Sequence, residues 1–374
     1  MGASAAVDIQ NYFYGHAQVL AGVVGRARPP RTDALVQHGW SLQDPLRAHF
    51  ADFPGLGARR YLVFSHGSRT WAAGDGAGAA ARARTTPVGA PWLHLLRALG
   101  PEALRGEEGG GVLVFPAHGT ALLRLRRRDA ELAARVRAEH GPSVVCLHAD
   151  DARDPAVVAA WSAAGHDVRT AGGRRDPRFL LRLAGMLAGA SSVVTEGLST
   201  SAWCAASAGV PVRVLGAERA AGPQGEVLRR TWPEMLEPAT LEERRAVAGL
   251  ELGAGDLRAP EELEELLGWT SPARRARAAA VHWAGGPVRK ARNVLGLGAR
   301  RVEGGHEAVA HLPASSWLAH PGEHLPASSP AAGTVAAVPP VVATSPGAGG
   351  GGAASSATRR LRRVICCCIS WKRM

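Results

Sequence analysis

Lysines, aromatic residues and long apolar runs are scarce in this sequence. Only two of its 44 basic residues are lysine, and arginines scattered through alanine-rich segments dominate the formal net charge of +12. Aromatic residues make up 5% of the chain and do not alternate with arginine, so the stacking surface typical of nucleic-acid-binding proteins is missing. No apolar run reaches the ~18 residues that a membrane-spanning helix needs. We therefore expect neither a nucleic-acid partner nor a transmembrane helix.

The 5 cysteines form neither a disulfide framework nor a metal-binding pattern. Cys146 and Cys204 lie in apolar segments, which is typical of small core residues, and the other three are consecutive at 366–368. The sequence has no Cys-x-x-Cys, no His-Glu-x-x-His, no phosphate-binding loop GxxxxGK[ST] and no GxSxG nucleophile motif. The first residues also lack the pattern of a secretory signal. We expect a cytoplasmic protein without a bound metal.

The last part of the chain differs from the rest in composition. Residues 305–374 are rich in Ala, Pro, Gly and Ser and cannot bury enough apolar surface to offset chain entropy, so we expect a disordered tail. This tail ends in the basic, cysteine-containing segment 359–374. Such an end fits peripheral attachment to the inner face of the membrane, but an incidental tail is the preferred interpretation.

Short apolar runs alternate with helical segments in the middle of the chain. The runs are Gly111–Phe115, Ser143–Leu147, His166–Thr170, Ser192–Thr195 and Pro211–Leu215. This alternation predicts βαβ units and a parallel sheet. We assign residues 111–304 to a Rossmann-like domain, whose trailing helices after Leu215 are expected to pack across both domains.

The first hundred residues are less regular. Apolar runs at 34–37, 61–64 and 85–88 predict three strands of a smaller α/β domain, which we assign to residues 1–105. The Gly-rich stretch 106–111 is the expected hinge.

Polar residues and glycines follow the carboxyl ends of the predicted strands, where ligands bind in open parallel sheets. His118 follows the first strand of the larger domain, His148–Asp151 the second, and Arg174 with Arg175 the third. Guanidinium groups match phosphate oxygens, so the arginine pair is a candidate for phosphate binding. An ordinary solvated arginine pair, and loops that are polar without a ligand, remain open as alternatives.

The fourth strand of this domain is followed by Glu196 and then by three hydroxyl residues, Ser199, Thr200 and Ser201, that open a helix. The N–H groups and the dipole at the start of a helix bind phosphate. Ser199 can equally be a helix cap, and the two roles are compatible.

The segment 195–212, with Thr-Glu-Gly-Leu-Ser-Thr followed by Gly-Val-Pro, resembles the donor-binding segment of GT-B glycosyltransferases. It is most similar to the branch with CDP-glycerol glycerophosphotransferases and bacterial sialyltransferases, in which two serines contact the donor phosphate. The resemblance implies that role for Ser199 and Thr200. Cys204 stands where many GT-B enzymes have an acidic residue for the donor ribose.

A second motif, Phe115-Pro-Ala-His118-Gly119, resembles the His-Pro motif of the same branch, with glycine in place of proline. The resemblance implies that His118 contacts the donor phosphates.

The N-terminal half resembles predicted capsule or surface-polysaccharide proteins of bacteria. The segments that carry this resemblance are Asn11–His16, Gln37–Trp40 and Val88–Trp92. In GT-B enzymes this half binds the acceptor and supplies the base. His38 is our candidate base because imidazole has a suitable pKa, with His16 and His66 as runners-up. A structural role in a turn or core is the open alternative for His38.

Together the resemblances imply a GT-B-like α/β fold, with two Rossmann-like domains facing a cleft. They imply a metal-independent transferase that moves a sugar or polyol-phosphate from a nucleotide-activated donor to a bacterial cell-surface polysaccharide precursor. The donor is then a substrate, and no cofactor is bound permanently. A GT-B-fold nucleotide-sugar epimerase and a non-catalytic nucleotide- or glycan-binding protein are the alternatives.

Overall fold

The computed structural model describes most of the chain before residue 281. The described residues are 7–42, 45–46, 60–73, 82–100, 104, 110–118, 128–217, 223–280 and 336–337. Gly119, residues 106–109 of the predicted hinge and all of the predicted tail except 336–337 lie outside these ranges. Within them the chain is α/β with two parallel sheets, which confirms the predicted fold class at that level.

The small sheet has three parallel strands in the order β1-β2-β3. Its strands are β1 (Leu35–Val36), β2 (Tyr61–Val63) and β3 (Thr85–Pro87). A 3-10 segment, Val7–Gly15, precedes the first helix. The helices of this part are α1 (His16–Val23), α2 (Thr70–Ala73) and α3 (Pro91–Leu99).

The large sheet is also parallel throughout. Its strands are β4 (Gly111–Phe115), β5 (Val144–Cys146), β6 (Asp167–Thr170), β7 (Ala190–Thr195), β8 (Val212–Val214) and β9 (Ala336–Ala337). Its connecting helices are α4 (Asp129–His140), α5 (Pro155–Ala163), α6 (Phe179–Ala188) and α7 (Thr200–Ser207). The spatial order is β8-β7-β4-β5-β6-β9. Strands β5 and β6 lie on one side of β4, whereas β7 and β8 lie on its other side. The topological switch point is therefore between β4 and β7.

The valine-rich strands of the large sheet are covered on both faces by helices, as the continuous apolar runs predict. Leu113 and Val193 pack in one core cluster, while Val114 and Val194 pack in another on the opposite face. The alternation follows from the twofold period of a strand, which sends successive side chains to opposite faces.

The chain is helical after β8 and returns to the small sheet. The helices are α8 (Pro223–Thr231), α9 (Pro233–Leu236), α10 (Leu241–Leu252) and α11 (Pro260–Leu266). α10 begins with a capping box formed by Thr240 and Glu243 and ends at Gly253, in the left-handed region. Leu263 and Trp269 then pack against Leu62 of β2 in one core cluster. The trailing helices therefore contact elements of both sheets, as predicted, since α10 also packs against α7 and α9 against β8. No helix in the described ranges is long and apolar enough to cross a membrane.

Candidate functional site

The loops that follow strands of the two sheets contact each other. The backbone N–H of Trp40, after β1, donates to Oγ1 of Thr200, at the start of α7, over 2.9 Å. The backbone N–H of Tyr14 donates to the carbonyl of Arg174, in the loop after β6, over 2.6 Å. These bonds bring the carboxyl edge of the large sheet against the N-terminal part of the chain.

Glu196 joins the two loops that flank the switch point. Its carboxylate Oε2 accepts from the backbone N–H of Ala117, after β4, over 3.0 Å. Its own N–H donates to the carbonyl of Phe115 over 3.2 Å. A Cβ on Gly216, after β8, would lie 2.0 Å from the Glu196 carbonyl, so a third loop packs tightly here and needs glycine. The sequence-predicted Glu196 therefore lies at the switch point and joins the loops that meet there.

His118 stacks on a second imidazole, that of His148, which follows β5. We call these two residues the histidine pair. Their ring centroids are 4.4 Å apart and their planes differ by 11°. Burial lowers the pKa of His148 to about 3, and the charges of His118, Arg174 and Arg153 act in the same direction. His148 is therefore a neutral imidazole at physiological pH.

Arg174 is close enough to His148 for its charge to lower the pKa of that imidazole, and it contacts the N-terminal aromatic residues. Its guanidinium carbon lies 5.7 Å from the centroid of the Phe13 ring, a cation–π geometry. Burial raises the pKa of the Tyr14 hydroxyl, the positive charge of Arg174 opposes this shift, and the carboxylate of Asp150 reinforces it. These electrostatic effects place Tyr14, Asp150, Arg174 and His148 in one neighbourhood. Arg175, the other member of the predicted pair, is exposed to solvent.

The three hydroxyl residues at the start of α7 have different partners. Ser199 is the helix cap, since its Oγ accepts from the backbone N–H of Ala202 over 3.3 Å. Thr200 accepts the bond from Trp40 described above. Ser201 is partly buried in the first turn of α7. The first N–H groups of α7 therefore lie at the carboxyl edge of the large sheet. Of the predicted hydroxyl residues, Ser199 caps the helix and Thr200 connects the two sheets.

His38, the candidate base, lies across this edge from the large sheet. Its ring packs edge-to-face on Phe13, with centroids 5.4 Å apart. Because Arg174 lies against the same ring, Phe13 connects the candidate base to the candidate phosphate-binding group. Of the runners-up, His16 is buried, and His66 is hydrogen-bonded to Thr85 of the small sheet over 2.7 Å.

Glu251, on α10, is a buried carboxylate that the sequence patterns did not indicate. Its side chain is surrounded by donors from three segments, and the residue is only 1% exposed. The donors are the Trp40 and Trp232 indoles at 2.7 and 2.9 Å, the Ser68 and Thr70 hydroxyls at 2.5 and 2.9 Å, and the backbone N–H of Arg69 at 2.8 Å. Glu251 therefore fixes the loops after β1 and β2 against the trailing helices.

An indole cluster, Trp40, Trp203 and Trp232, extends this contact to α7. The Trp40 ring lies 5.2 Å from each of the other two ring centroids. Trp92 of α3 adds a further link, since its Nε1–H contacts the carbonyl of Cys204 and Oγ of Ser207 at 3.1 and 3.0 Å. Cys204 is a buried core residue here, and burial raises the pKa of its thiol.

Within the described ranges, no group of three or more His, Cys, Asp and Glu side chains has an arrangement that would hold a metal ion. A comparison with protein-family models gives no match for the chain, and a comparison with curated proteins gives none. Any relation to GT-B enzymes therefore depends on the motifs of the sequence and on the geometry of this site.

Proposed function

We propose that the chain is a GT-B-type transferase that uses a nucleotide-activated sugar or polyol-phosphate donor and acts on a bacterial cell-surface polysaccharide precursor. The observation that carries this proposal is the convergence of His118, His148 and Arg174 at the carboxyl edge of the large sheet. The adjoining switch point between β4 and β7 is where doubly wound sheets bind ligands. The motifs around His118 and Ser199, which resemble the donor-binding motifs of such enzymes, lie on the two loops that flank it.

In this proposal the donor diphosphate binds between the start of α7 and Arg174. The guanidinium fork is suited to two phosphate oxygens, and the first N–H groups of a helix attract negative charge. Ser199 accepts a bond as the cap and still carries its own hydroxyl proton for donation. These groups stabilise the charge that develops on the leaving nucleotide as its bond to the transferred group breaks. Arg175 and Ser201 extend the same edge.

The acceptor hydroxyl approaches from the side of the small sheet. His38 takes the proton of this hydroxyl while the oxygen attacks the transferred group and the nucleotide leaves. Removing a general base of this kind lowers kcat by roughly 100- to 10,000-fold. No permanently bound cofactor enters this scheme.

A second candidate function is binding of a nucleotide or glycan without turnover. The bonds of Trp40 to Thr200 and to Glu251, together with the indole cluster, favour it, because they fasten the two sheets to each other. Enzymes that close around a substrate commonly need freedom between such parts.

The experiment that tests the first proposal measures binding and turnover on one panel of donors. UDP-, GDP-, CMP- and CDP-linked sugars and polyols are screened by thermal shift, and nucleotide release is then followed with glycan acceptors. We expect one nucleotide class to raise the Tm of the wild type, and His118→Ala and Arg174→Ala to reduce that rise.

Arg245→Ala, which changes an exposed arginine on α10, is the matched control and is expected to leave the shift unchanged. Binding without nucleotide release under any acceptor favours the second candidate function. If no donor raises Tm and His118→Ala changes nothing, the transferase proposal is wrong.

We place the protein in the cytoplasm, where nucleotide-activated donors are made. Peripheral attachment to the inner face of the membrane through the basic segment 359–374 is the alternative to an incidental tail, and that segment lies outside the described residues. Fractionation of the full chain against a chain ending at residue 358 tests it, since attachment predicts loss of the membrane-bound fraction on truncation.

A further inference from the structure

His148 lies where a ligand of the large sheet would bind, but no sequence motif assigns it a role. It is the second residue after β5, and its side chain is only 8% exposed. Its ring stacks nearly parallel on the ring of His118, with centroids 4.4 Å apart. The orientation of this imidazole is therefore fixed before any ligand arrives.

The hydrogen bonds of the ring determine where its proton is. The backbone N–H of Asp150 donates to Nδ1 of His148 over 3.3 Å, so Nδ1 is the acceptor and a neutral ring carries its proton on Nε2. Within the described part of the chain, Nε2 has no hydrogen-bond partner and is not among the buried nitrogen atoms that lack one. The Nε2–H group is therefore open to the solvent side of the site.

Burial and the charges around the ring keep it neutral. Burial is the main cause that lowers its pKa to about 3, and the electrostatic effects of His118, Arg174 and Arg153 act in the same direction. The carboxylate of Asp150 lies 3.7 Å from Nδ1, but it is also paired with Arg153 at 3.1 Å. His148 is thus an oriented, uncharged N–H donor in a positively charged neighbourhood.

We propose that His148 is a binding residue of this site, and that its Nε2–H donates a hydrogen bond to an oxygen of the diphosphate group of the ligand. The proposal rests on the function proposed above. Arg174 supplies the positive charge that attracts the anion. His148 adds a directional hydrogen bond, and because its ring is neutral no second cation has to lose its hydration on binding. Hydrogen bonds to a charged acceptor are about twice as strong as neutral ones, so one such donor can contribute on the order of tenfold in affinity.

The test uses the full chain and inorganic pyrophosphate as the probe, with affinity measured by titration calorimetry. His148→Phe keeps an aromatic ring for stacking on His118 and removes the donor, whereas His148→Gln keeps an amide donor near the position of Nε2 and removes the ring. We expect His148→Phe to weaken binding about tenfold and His148→Gln to retain affinity within roughly threefold. The reverse order of the two variants would show that only stacking matters and would overturn the proposal.

Two further results distinguish a wrong role for His148 from a wrong proposed function. If the wild type binds pyrophosphate and His148→Phe binds it equally well, the role of His148 is wrong while the anion site stands. If the wild type binds neither pyrophosphate nor any nucleotide-linked donor, the proposed function and this inference fail together. Since a variant can fold poorly, the tautomer is also measured in the wild type by nitrogen NMR with labelled histidine. A proton on Nδ1, or a charged ring near neutral pH, overturns the proposal without any variant.

Discussion

At the scale of single residues, the buried Glu251 joins three separate segments of the chain through its carboxylate. A buried carboxylate is costly unless hydrogen bonds replace its hydration. Here two indoles, two hydroxyls and one backbone N–H provide that replacement. All five groups only donate to it, so the site is built for an acceptor with two equivalent oxygens.

Glu251→Gln is therefore expected to destabilise the fold, although it is nearly isosteric. The amide nitrogen of glutamine cannot accept a hydrogen bond. The protein donors that now bind one of the two carboxylate oxygens would therefore face an N–H donor in the variant. Each buried polar group left unsatisfied costs about 1–3 kcal/mol. We expect a loss of about 3 kcal/mol in the free energy of unfolding, measured by urea denaturation.

The matched control for this change lies on the same helix. Glu242 is exposed in the first turn of α10, and Glu242→Gln is expected to change the stability by less than about 0.5 kcal/mol. Similar stabilities for the two variants would contradict the role assigned to Glu251.

At the scale of elements, the 3-10 segment Val7–Gly15 carries strained backbone at its end. Tyr14 has φ 57°, which makes it the one non-glycine residue with positive φ in the described ranges. The left-handed conformation costs an ordinary residue on the order of 1 kcal/mol. The contacts that offset this cost are the Tyr14–Arg174 backbone bond to the loop after β6 and the packing of the Tyr14 ring on Phe179 at the start of α6, with centroids 4.9 Å apart.

Gly15→Ala tests how closely this segment must approach the loop. Gly15 has φ 75°, and a Cβ there would lie 2.5 Å from the carbonyl oxygen of Pro177, which is backbone. We expect a loss of about 2–4 kcal/mol, from the left-handed conformation and from displacement of the loop. Chemical denaturation measures the total loss.

Gly25 provides the comparison, because its φ of 76° is nearly the same and nothing lies within 4 Å of its Cβ position. Gly25→Ala therefore reports the conformational cost alone, about 1 kcal/mol. The difference between the two variants measures the contact, and no difference would mean that the segment does not press on the loop in solution.

At the scale of the whole molecule, the two sheets share one apolar core cluster, and polar bonds such as that from Trp40 to Thr200 lie within this interface. The bond from the Trp40 N–H to Thr200 lies beside the indole cluster. Glu251 holds the indole of the same tryptophan. Trp40 is therefore fixed at both its backbone and its ring, and the small sheet is positioned through it.

Thr200→Val removes the acceptor and leaves the shape almost unchanged. The Trp40 N–H then lacks its partner, and we expect a loss of about 1–3 kcal/mol in stability. Thr200→Ser restores the hydroxyl and is expected to recover most of it. The midpoint of thermal unfolding is the readout, and a Thr200→Ser midpoint no higher than that of Thr200→Val would contradict the assignment.

The stability of the whole molecule is expected to fall as the pH drops below about 6.5. Burial lowers the pKa of His94 from 6.5 to about 4, and that of His148 to about 3. As the pH falls, these histidines take up protons in the unfolded chain before they do so in the folded protein. The free energy of unfolding therefore decreases as the pH falls from the unfolded pKa, about 6.5, to the folded pKa. At about 1.4 kcal/mol per pKa unit, His94 alone accounts for roughly 3 kcal/mol.

Unfolding by urea at a series of pH values from 7 to 5 measures this slope. His94 is 0% exposed and its Nε2 contacts the Val88 carbonyl over 2.7 Å, so His94→Gln keeps a donor but cannot titrate. We expect a shallower slope for this variant, and an unchanged slope would show that His94 does not stay neutral in the fold. Carboxylates whose pKa is lowered, such as Glu234 hydrogen-bonded to Arg69, also make the folded state less stable when they are protonated, but only at a lower pH than the histidines.

The sequence by itself determined the α/β class, the positions of strands β4 to β8 of the large sheet and the side chains at its carboxyl edge. The reason is local: apolar runs alternate with helical spacing, and the direction of parallel strands decides which loops share an edge. His118, Arg174, Glu196 and Ser199 follow from that rule alone. It also indicated the three strands of the small sheet, which the structure places within the predicted runs. The exception is β9, which lies within the segment predicted to be a disordered tail and pairs with β6.

Only the tertiary structure decided what those residues contact. The stacking of His118 on His148, the Phe13 ring between His38 and Arg174, and the five donors around Glu251 join residues that are distant in the chain. Such contacts depend on the return of the trailing helices to the small sheet and on the packing of one loop edge against another. A pattern read along the chain does not contain those distances, because close packing in three dimensions sets them.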